Sequence, residues 1–308
     1  MTEKPYNQVH PAAQFFIFIG IFLMILFAGN LIGLGIVRAV YGLNTVMDIA
    51  ALKMNSPHLI NALWIIQIAG TTFPIFAAPV FFSYVIVRDP DDYIKPSFRL
   101  HWTLFALVFL VMVFSNPVIE VLSNINQKMH LPSFLSGVQK WMEDSEKSAQ
   151  KITEVMLQMK TIWDMIIDVL LIGLLTAIVE EFMFRGVLQT IFVRWTRNHH
   201  VAIWITAILF SAFHIEFFGF LPRLMLGVLF GYFVAWSGSI WPAIWAHFLN
   251  NGAAVVATYL FQHKIIKANP DDQHLFNAAG YIISLLIMLF LLFIYRRKAY
   301  EKRQITEY

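Results

Sequence analysis

Long apolar runs recur along the whole chain, and they constrain its fold more than any other feature. The first extends from about Ala13 to Val37, and comparable runs follow from about Leu59 to Val87 and from about His101 to Asn116. An apolar stretch of about 18 or more residues is typical of a transmembrane helix. Because backbone polar groups that face lipid must satisfy one another, we expect these runs to be helices.

Five further runs continue this pattern towards the C-terminus. They begin near Ile162, Ala202, Leu221, Trp241 and Phe276, and they end near Arg194, Phe218, Trp236, Phe261 and Ile294. The predicted fold class is therefore all-α, a polytopic integral membrane protein of about eight transmembrane helices in a single membrane domain, residues 1–308. The composition agrees, since 58% of the residues are hydrophobic and 13% are charged. Cysteine is absent, which excludes a thiol nucleophile and a cysteine metal site.

Residues 123–160 form a polar segment between the third and fourth predicted spans. The mixed-charge stretch 141–148 is typical of an amphipathic helix that lies beside a membrane. Two interpretations remain open for this segment: a solvated connector, or a lid or gate over a substrate entrance.

The basic residues predict the orientation of the chain. An even number of spans places both termini on one side of the membrane. Arg296, Arg297 and Lys298 follow the last span, and the positive-inside rule assigns such residues to the cytoplasm. Short loops agree, with Lys4, Arg88, Lys95, Arg99, Arg194 and Arg197 on the same side. We therefore expect both termini in the cytoplasm. The basic residues are spread over several loops, so no nucleic-acid partner is expected.

Three charged residues interrupt the fourth predicted span. Glu180, Glu181 and Arg185 follow directly on an apolar stretch, and one charge near a bilayer centre costs at least ~2.5–3.5 kcal/mol on insertion scales. Glu181 and Arg185 are four residues apart, so a helix lets them pair on one face. Glu180 points about 100° away from Glu181 and is left available to act as a base.

Further polar residues lie in the fifth and seventh predicted spans. These are His214, His247 and Asn251, and the last two share a helix face because they are four residues apart. Ionisable residues inside a membrane face one another or a water-filled cavity. We therefore expect six residues within 160–262, the predicted catalytic core, to converge: Glu180, Glu181, Arg185, His214, His247 and Asn251.

This set of residues fits peptide-bond hydrolysis in two ways. A carboxylate beside a histidine can take a proton from water, while a second histidine and an asparagine can donate to an oxyanion. Alternatively, Glu180, His214 and His247 can hold zinc with a water in the open position. Metal-free hydrolysis is favoured for two reasons. Acceptors that would orient a zinc-bound histidine are not evident nearby, and the positive charge of Arg185 disfavours a dication.

Functions of other classes are also compatible with intramembrane charges. A proton- or ion-coupled transporter is one alternative, although the sequence shows no paired halves or inverted repeat. A catalytically silent membrane scaffold is another. The chain has no His-Glu-x-x-His, Gly-x-Gly-Asp or Gly-x-Ser-Gly motif, which argues against other kinds of intramembrane protease.

Three motifs carry a family resemblance. They are Glu180-Glu181-x-x-x-Arg185, Phe210-x-x-x-His214 and His247-x-x-x-Asn251, which occur in this order and in separate predicted spans. In these motifs the chain resembles the CAAX-protease and bacteriocin-processing family of intramembrane proteases. This family includes the type II CAAX prenyl endopeptidases and many bacterial abortive-infection proteins.

The resemblance implies a fold and a set of residue roles. Eight helices would surround a conical cavity open to the cytosol. Glu180 and His214 would activate water, His247 and Asn251 would stabilise the oxyanion, and Glu181 with Arg185 would hold the shape of the site. No cofactor is favoured, but zinc is possible, because members have been called metalloproteases while a metal-free glutamate mechanism has also been argued.

The resemblance also suggests where the protein acts. The expected location is the bacterial cytoplasmic membrane, and the expected partners are the lipid bilayer and a membrane protein or peptide substrate. A CAAX substrate is not implied, because that specificity belongs to the prenyl-processing branch.

Overall fold

The computed structural model describes residues 9–51, 53, 56–98, 100–267 and 277–306, with side chains described as far as Glu301. Lys4, Arg99 and the predicted start of the last span at Phe276 lie outside these residues. Within the described ranges, the chain forms helices and turns with no β-strand, so the predicted all-α fold class is confirmed.

The helices of the described residues can be given in chain order. They are α1 (Pro11–Tyr41), α2 (Leu43–Ala50), α3 (Leu59–Ile86), α4 (Pro90–Tyr93), α5 (Trp102–Gln127), α6 (Ser136–Met156), α7 (Ile162–Thr196), α8 (His199–Phe213), α9 (Phe220–Ser237), α10 (Trp241–Gln262) and α11 (Ala278–Thr306). Short 3₁₀ turns, Ser133–Leu135 and Phe217–Gly219, precede α6 and α9.

Each of the eight predicted spans contains a helix, but the fifth helix ends at Phe213, short of the predicted end near Phe218. Six helices of the described chain are long and apolar enough to cross a membrane: α1, α3, α5, α7, α11 and α9 with its preceding 3₁₀ turn. The protein is therefore an integral membrane protein. Helix α8 has 15 residues and is about 22 Å long, which is shorter than the ~30 Å hydrocarbon core. Helix α10 has 22 residues, but His247, Asn250 and Asn251 lower its hydropathy. Helices α8 and α10, which fall outside this set of six, thus carry the two histidine motifs.

Helix α7 lies between two apolar clusters. The first cluster joins α7 to α1, α3 and α8 through residues such as Phe18, Phe82 and Phe210. The second joins α5, α9, α10 and α11 and includes Phe230 and Tyr295. The first half of α7 packs on α10 and the second half packs on α8. The middle of α7 is therefore enclosed by protein on several sides.

Both ends of α7 are fixed by polar contacts. At its start, the side chain of Thr161 accepts from the backbone of Asp164, whose carboxylate accepts from the backbone of Thr161 in return. Near its end, Arg194 pairs with Asp89 at 3.3 Å and also with Asp92, beside helix α4. Because both ends are held, the position of the central residues of α7 relative to the neighbouring helices is set by the rest of the fold.

The polar segment 123–160 contains helix α6. The predicted amphipathic helix is present, and none of its residues is buried. Helix α6 contacts the start of α3 and the 3₁₀ turn before α9. Trp141 of α6 packs against Phe217 of that turn with ring centroids 5.5 Å apart.

Candidate active site

Glu180 and Glu181 lie on a short α-helical stretch between two π-helical stretches of α7. Thr176–Glu181 is α-helical, whereas Val169–Leu175 and Phe182–Leu188 have π geometry. Such π segments are frequent at functional sites. Both acids are turned into the protein, since Glu180 is 7% exposed and Glu181 is 0% exposed. This part of α7 therefore buries two adjacent carboxylates.

Glu181 is held by two cationic or polar partners from different parts of the chain. Arg185 Nη1 donates to Glu181 Oε1 at 2.9 Å, as the four-residue spacing favours, and both side chains are fully buried. His247 Nδ1 lies 2.8 Å from the same oxygen. The contact to His247 joins α7 to α10 and was missed in the sequence analysis, which assigned Glu181 to Arg185 alone.

The glycines of α9 let its backbone approach Arg185. Gly227 O accepts from Arg185 Nη2 at 3.2 Å, and Gly231 O accepts from Gln189 Nε2 at 3.1 Å. A Cβ atom on Gly227 would lie only 2.9 Å from Ala207 Cβ on α8. A larger residue would therefore push α9 away from α8 and remove an acceptor from the buried guanidinium.

Aromatic rings line the same region. The Arg185 guanidinium carbon lies 4.3 Å from the centroid of the Phe210 ring and 5.2 Å from that of Phe230. The ring of Phe230 also stacks on His247, with centroids 5.2 Å apart. Cation–π contacts of this kind stabilise a positive charge that is shielded from water. They also restrict the side chains that hold Glu181.

Glu180 faces both histidines. His247 Nε2 lies 3.8 Å and His214 Nε2 lies 4.0 Å from Glu180 Oε2. These distances exceed the length of a direct hydrogen bond. Within the described part of the chain, Glu180 Oε2 is buried and has no hydrogen-bond partner. The structure thus brings His214 and His247 close to Glu180 Oε2, which accepts no direct hydrogen bond from the described residues.

The second nitrogen of each histidine fixes the direction of its ring. His214 Nδ1 lies 2.9 Å from the carbonyl oxygen of Phe210, and His247 Nδ1 contacts the Glu181 carboxylate. Both partners are acceptors, so both Nδ1 atoms donate, and each Nε2 atom is directed towards Glu180. Two ring nitrogens therefore converge on one carboxylate oxygen: His214 Nε2 and His247 Nε2 on Glu180 Oε2.

Asn251 lies one turn beyond His247 on α10, on the same helix face. Its Nδ2 donates to the carbonyl oxygen of Ile172 on α7 at 3.4 Å, and its Oδ1 accepts from Asn250 Nδ2 at 3.1 Å. Asn251 is therefore tied to the backbone of α7, and its described hydrogen bonds do not go to Glu180 or the histidines.

His214 stands directly before the tight turn that leads to α9. Ile215, the next residue, has φ of +54°. The left-handed region costs a non-glycine residue roughly 1–2 kcal/mol, and it is especially unfavourable for a β-branched residue. Strained backbone of this kind clusters at functional sites. The hydrophobic pattern gave no signal for this turn, because an apolar isoleucine fits a membrane span equally well.

The exposed part of the site lies towards helix α6. The His214 side chain is 27% exposed, whereas those of Glu180 and His247 are 9% and 5% exposed. His214 lies at the end of α8 that meets the end of α5, since Asn126 Nδ2 donates to Phe217 O at 2.8 Å. Under the charge-based topology this end is the outer one. The opening towards the cytoplasm, implied by the resemblance, stays a prediction.

One argument against zinc in the sequence analysis is wrong. Acceptors that orient both histidines are present, namely the Glu181 carboxylate and the Phe210 carbonyl. The distances give a separate test. Donors on one tetrahedral zinc are about 3.3 Å apart, whereas each Nε2 lies 3.8–4.0 Å from Glu180 Oε2. The described residues contain no group of three His, Cys, Asp or Glu side chains placed to hold a metal ion. As placed, the two Nε2 atoms therefore lie further from Glu180 Oε2 than the donors of a tetrahedral zinc site lie from one another.

Comparison with known proteins finds a similarity in the part of the chain that contains the candidate site residues. Residues 162–253 match the family of type II CAAX prenyl endopeptidases described as Rce1-like. This segment is similar to that family. It contains all six residues predicted from the three motifs, so the family resemblance is confirmed for it.

A curated relative matches a comparable length of the chain. It is "Uncharacterized protein YpbD" of Bacillus subtilis, which is 27% identical over 110 residues. The match covers 34% of this chain and 52% of that protein, so the chain spans about half the length of the curated relative it matches. No solved structure matches the chain.

We expect Glu181→Gln to destabilise the protein and Glu180→Gln to leave its stability nearly unchanged. The first change leaves the buried Arg185 charge without a carboxylate, and removing one partner of such a pair costs about 3–5 kcal/mol. The second removes a carboxylate whose buried Oε2 has no hydrogen-bond donor. Thermal unfolding of both purified variants in the same detergent measures the difference. Equal losses of stability would contradict the assignment of Glu181 to the buried network.

Proposed function

We propose that this chain is an intramembrane endopeptidase that hydrolyses peptide bonds of a membrane-associated protein or peptide. The observation that carries the proposal is the convergence of Glu180 Oε2, His214 Nε2 and His247 Nε2 inside a membrane domain. At 3.8–4.0 Å these atoms are too far apart for a direct hydrogen bond, and we infer that a shared water joins them. The Rce1-like match of residues 162–253 supports the same class of reaction, since that family is named for endopeptidases.

In the proposed reaction, Glu180 is the general base. A water between Glu180 and His214 gives a proton to the Glu180 carboxylate, and its oxygen attacks the carbonyl carbon of the scissile bond. The resulting tetrahedral intermediate collapses when the C–N bond breaks and the same proton passes to the leaving nitrogen. The partly exposed His214 side chain would orient the water at the open side of the site.

The oxyanion would be stabilised by His247 and Asn251. His247 can donate from Nε2 only as an imidazolium, since Nδ1 already donates to Glu181. The buried Glu181 carboxylate would stabilise that charged ring, while Arg185 keeps the carboxylate in place. Asn251 would turn its amide from the Ile172 carbonyl towards the substrate. Glu181 and Arg185 therefore act through His247.

The proposal includes a setting for the reaction. The chain would lie in a bacterial cytoplasmic membrane with both termini in the cytoplasm, and its partners would be lipid and a membrane protein or peptide. The basic residues that follow α11, Arg296, Arg297 and Lys298, support this orientation.

Metal-stripped enzyme tests the choice between activated water and zinc. We expect purified protein to cleave a fluorogenic membrane peptide after treatment with a strong chelator, and we expect Glu180→Gln to abolish turnover while the protein stays folded. The first result follows because the donor distances do not fit zinc, and the second because the base is lost. Elemental analysis accompanies the assay. Activity that vanishes on stripping and returns with one zinc per chain would establish the zinc-dependent mechanism instead.

Replacement of Asn251 tests the oxyanion assignment. We expect Asn251→Ala to lower kcat by about 10²–10³-fold with little change in KM, as for loss of a donor used in the transition state. Thr258→Ala on the same helix is the matched control and should cause a smaller loss, because the Thr258 hydroxyl donates to Ala254 O of its own helix. The assignment is wrong if the two variants are equally impaired, or if Asn251→Ala raises KM alone.

A further inference from the structure

The turn between α8 and α9 contains strained backbone. Ile215 adopts the left-handed conformation, and its side chain is 55% exposed, so packing of that side chain does not compensate for the strain. Strained backbone persists when surrounding groups fix it. Because Ile215 directly follows His214, whatever fixes this turn also fixes the histidine.

Side chains of α5, α6 and α9 are among those that hold the backbone of this turn. Asn126 at the end of α5 donates to Phe217 O at 2.8 Å and accepts from Leu221 N at 2.6 Å. Arg223 of α9 donates to Glu216 O at 3.1 Å. Glu146 of α6 accepts from Phe218 N at 3.0 Å. Backbone groups on both sides of Phe217 are therefore tied to other elements.

Glu146 differs from the other two side chains in its origin. Asn126 and Arg223 belong to helices of the bundle, whereas Glu146 belongs to α6, which has no buried residue. Trp141 of α6 adds a ring contact to Phe217. Helix α6 thus reaches the turn from the surface, through the hydrogen bond of Glu146 with Phe218 N–H and the ring contact of Trp141 with Phe217.

We propose that α6 is a clamp on the turn that carries His214, and that Glu146 is a positioning residue for the reaction. Its carboxylate holds Phe218 N–H, which keeps Ile215 in the left-handed conformation and His214 Nε2 opposite Glu180. Both earlier interpretations of segment 123–160, a connector and a lid over the entrance, differ from this role. The effect on turnover rests on the proposed function, whereas the hold on the turn does not.

Three variants of purified full-length protein in detergent test the clamp. Glu146→Ala removes the acceptor, Glu146→Gln keeps an acceptor without the charge, and Glu154→Ala changes an exposed acid of the same helix. We expect faster amide hydrogen exchange in the peptide covering 213–221 for Glu146→Ala alone. We also expect its kcat to fall by ~10–100-fold with KM nearly unchanged, because a displaced catalytic group slows the reaction.

Relief of the strain provides a rescue. Ile215→Gly removes the conflict with the left-handed conformation, so the turn no longer needs α6. In the Glu146→Ala background, Ile215→Gly should return both the exchange rate and kcat to within a few-fold of the wild-type values. A residue that merely stabilised α6 would not be rescued by a change in another segment.

Either of two results overturns the clamp. One is unchanged hydrogen exchange in 213–221 for Glu146→Ala. The other is failure of Ile215→Gly to restore that exchange, which would mean that Glu146 acts by another route, such as its charge. The exchange measurement needs no turnover, so it decides the clamp even if the protein cleaves no peptide. A protein that passes the exchange test but lacks peptidase activity would contradict the proposed function and leave α6 as a structural clamp.

Discussion

The candidate site depends on the buried Glu181 carboxylate. It lies at 0% exposure and accepts hydrogen bonds from Arg185 on its own helix and from His247 on α10. Removing two opposite charges from water costs several kcal/mol for each ion, so such a pair is seldom retained for stability alone. Here the same oxygen also orients a histidine. The pair is therefore best understood as the support that aims His247 Nε2 at Glu180.

Neighbouring backbone and aromatic groups help to hold Arg185 and the two histidines in place. The Gly227 carbonyl, reached because α9 approaches closely, takes a second guanidinium nitrogen of Arg185. Phe210 contributes twice, since its ring faces the guanidinium and its carbonyl oxygen accepts from His214 Nδ1. One buried cluster thus binds both histidines at their Nδ1 atoms, and their Nε2 atoms face Glu180.

Local spacing predicted a large part of this arrangement. Apolar runs located all eight helical segments, because lipid imposes a length and a composition that are visible in sequence. The four-residue spacing predicted the pair of Glu181 and Arg185. The contact of Glu181 with His247 spans 66 residues and depends on how α10 packs against α7, which no local pattern encodes. The π-helical stretches around Glu180 were missed for a similar reason, since apolar residues accommodate either helix geometry.

Abundances of membrane-protein termini in cells test the central claim most directly. The account predicts that cells with the wild-type chain accumulate new N-termini within or beside membrane spans of other proteins. Cells in which Glu180→Gln replaces the wild-type at equal abundance should lack those termini and retain the intact substrates. Identical sets of termini in the two strains would contradict the claim that Glu180 activates water for peptide hydrolysis.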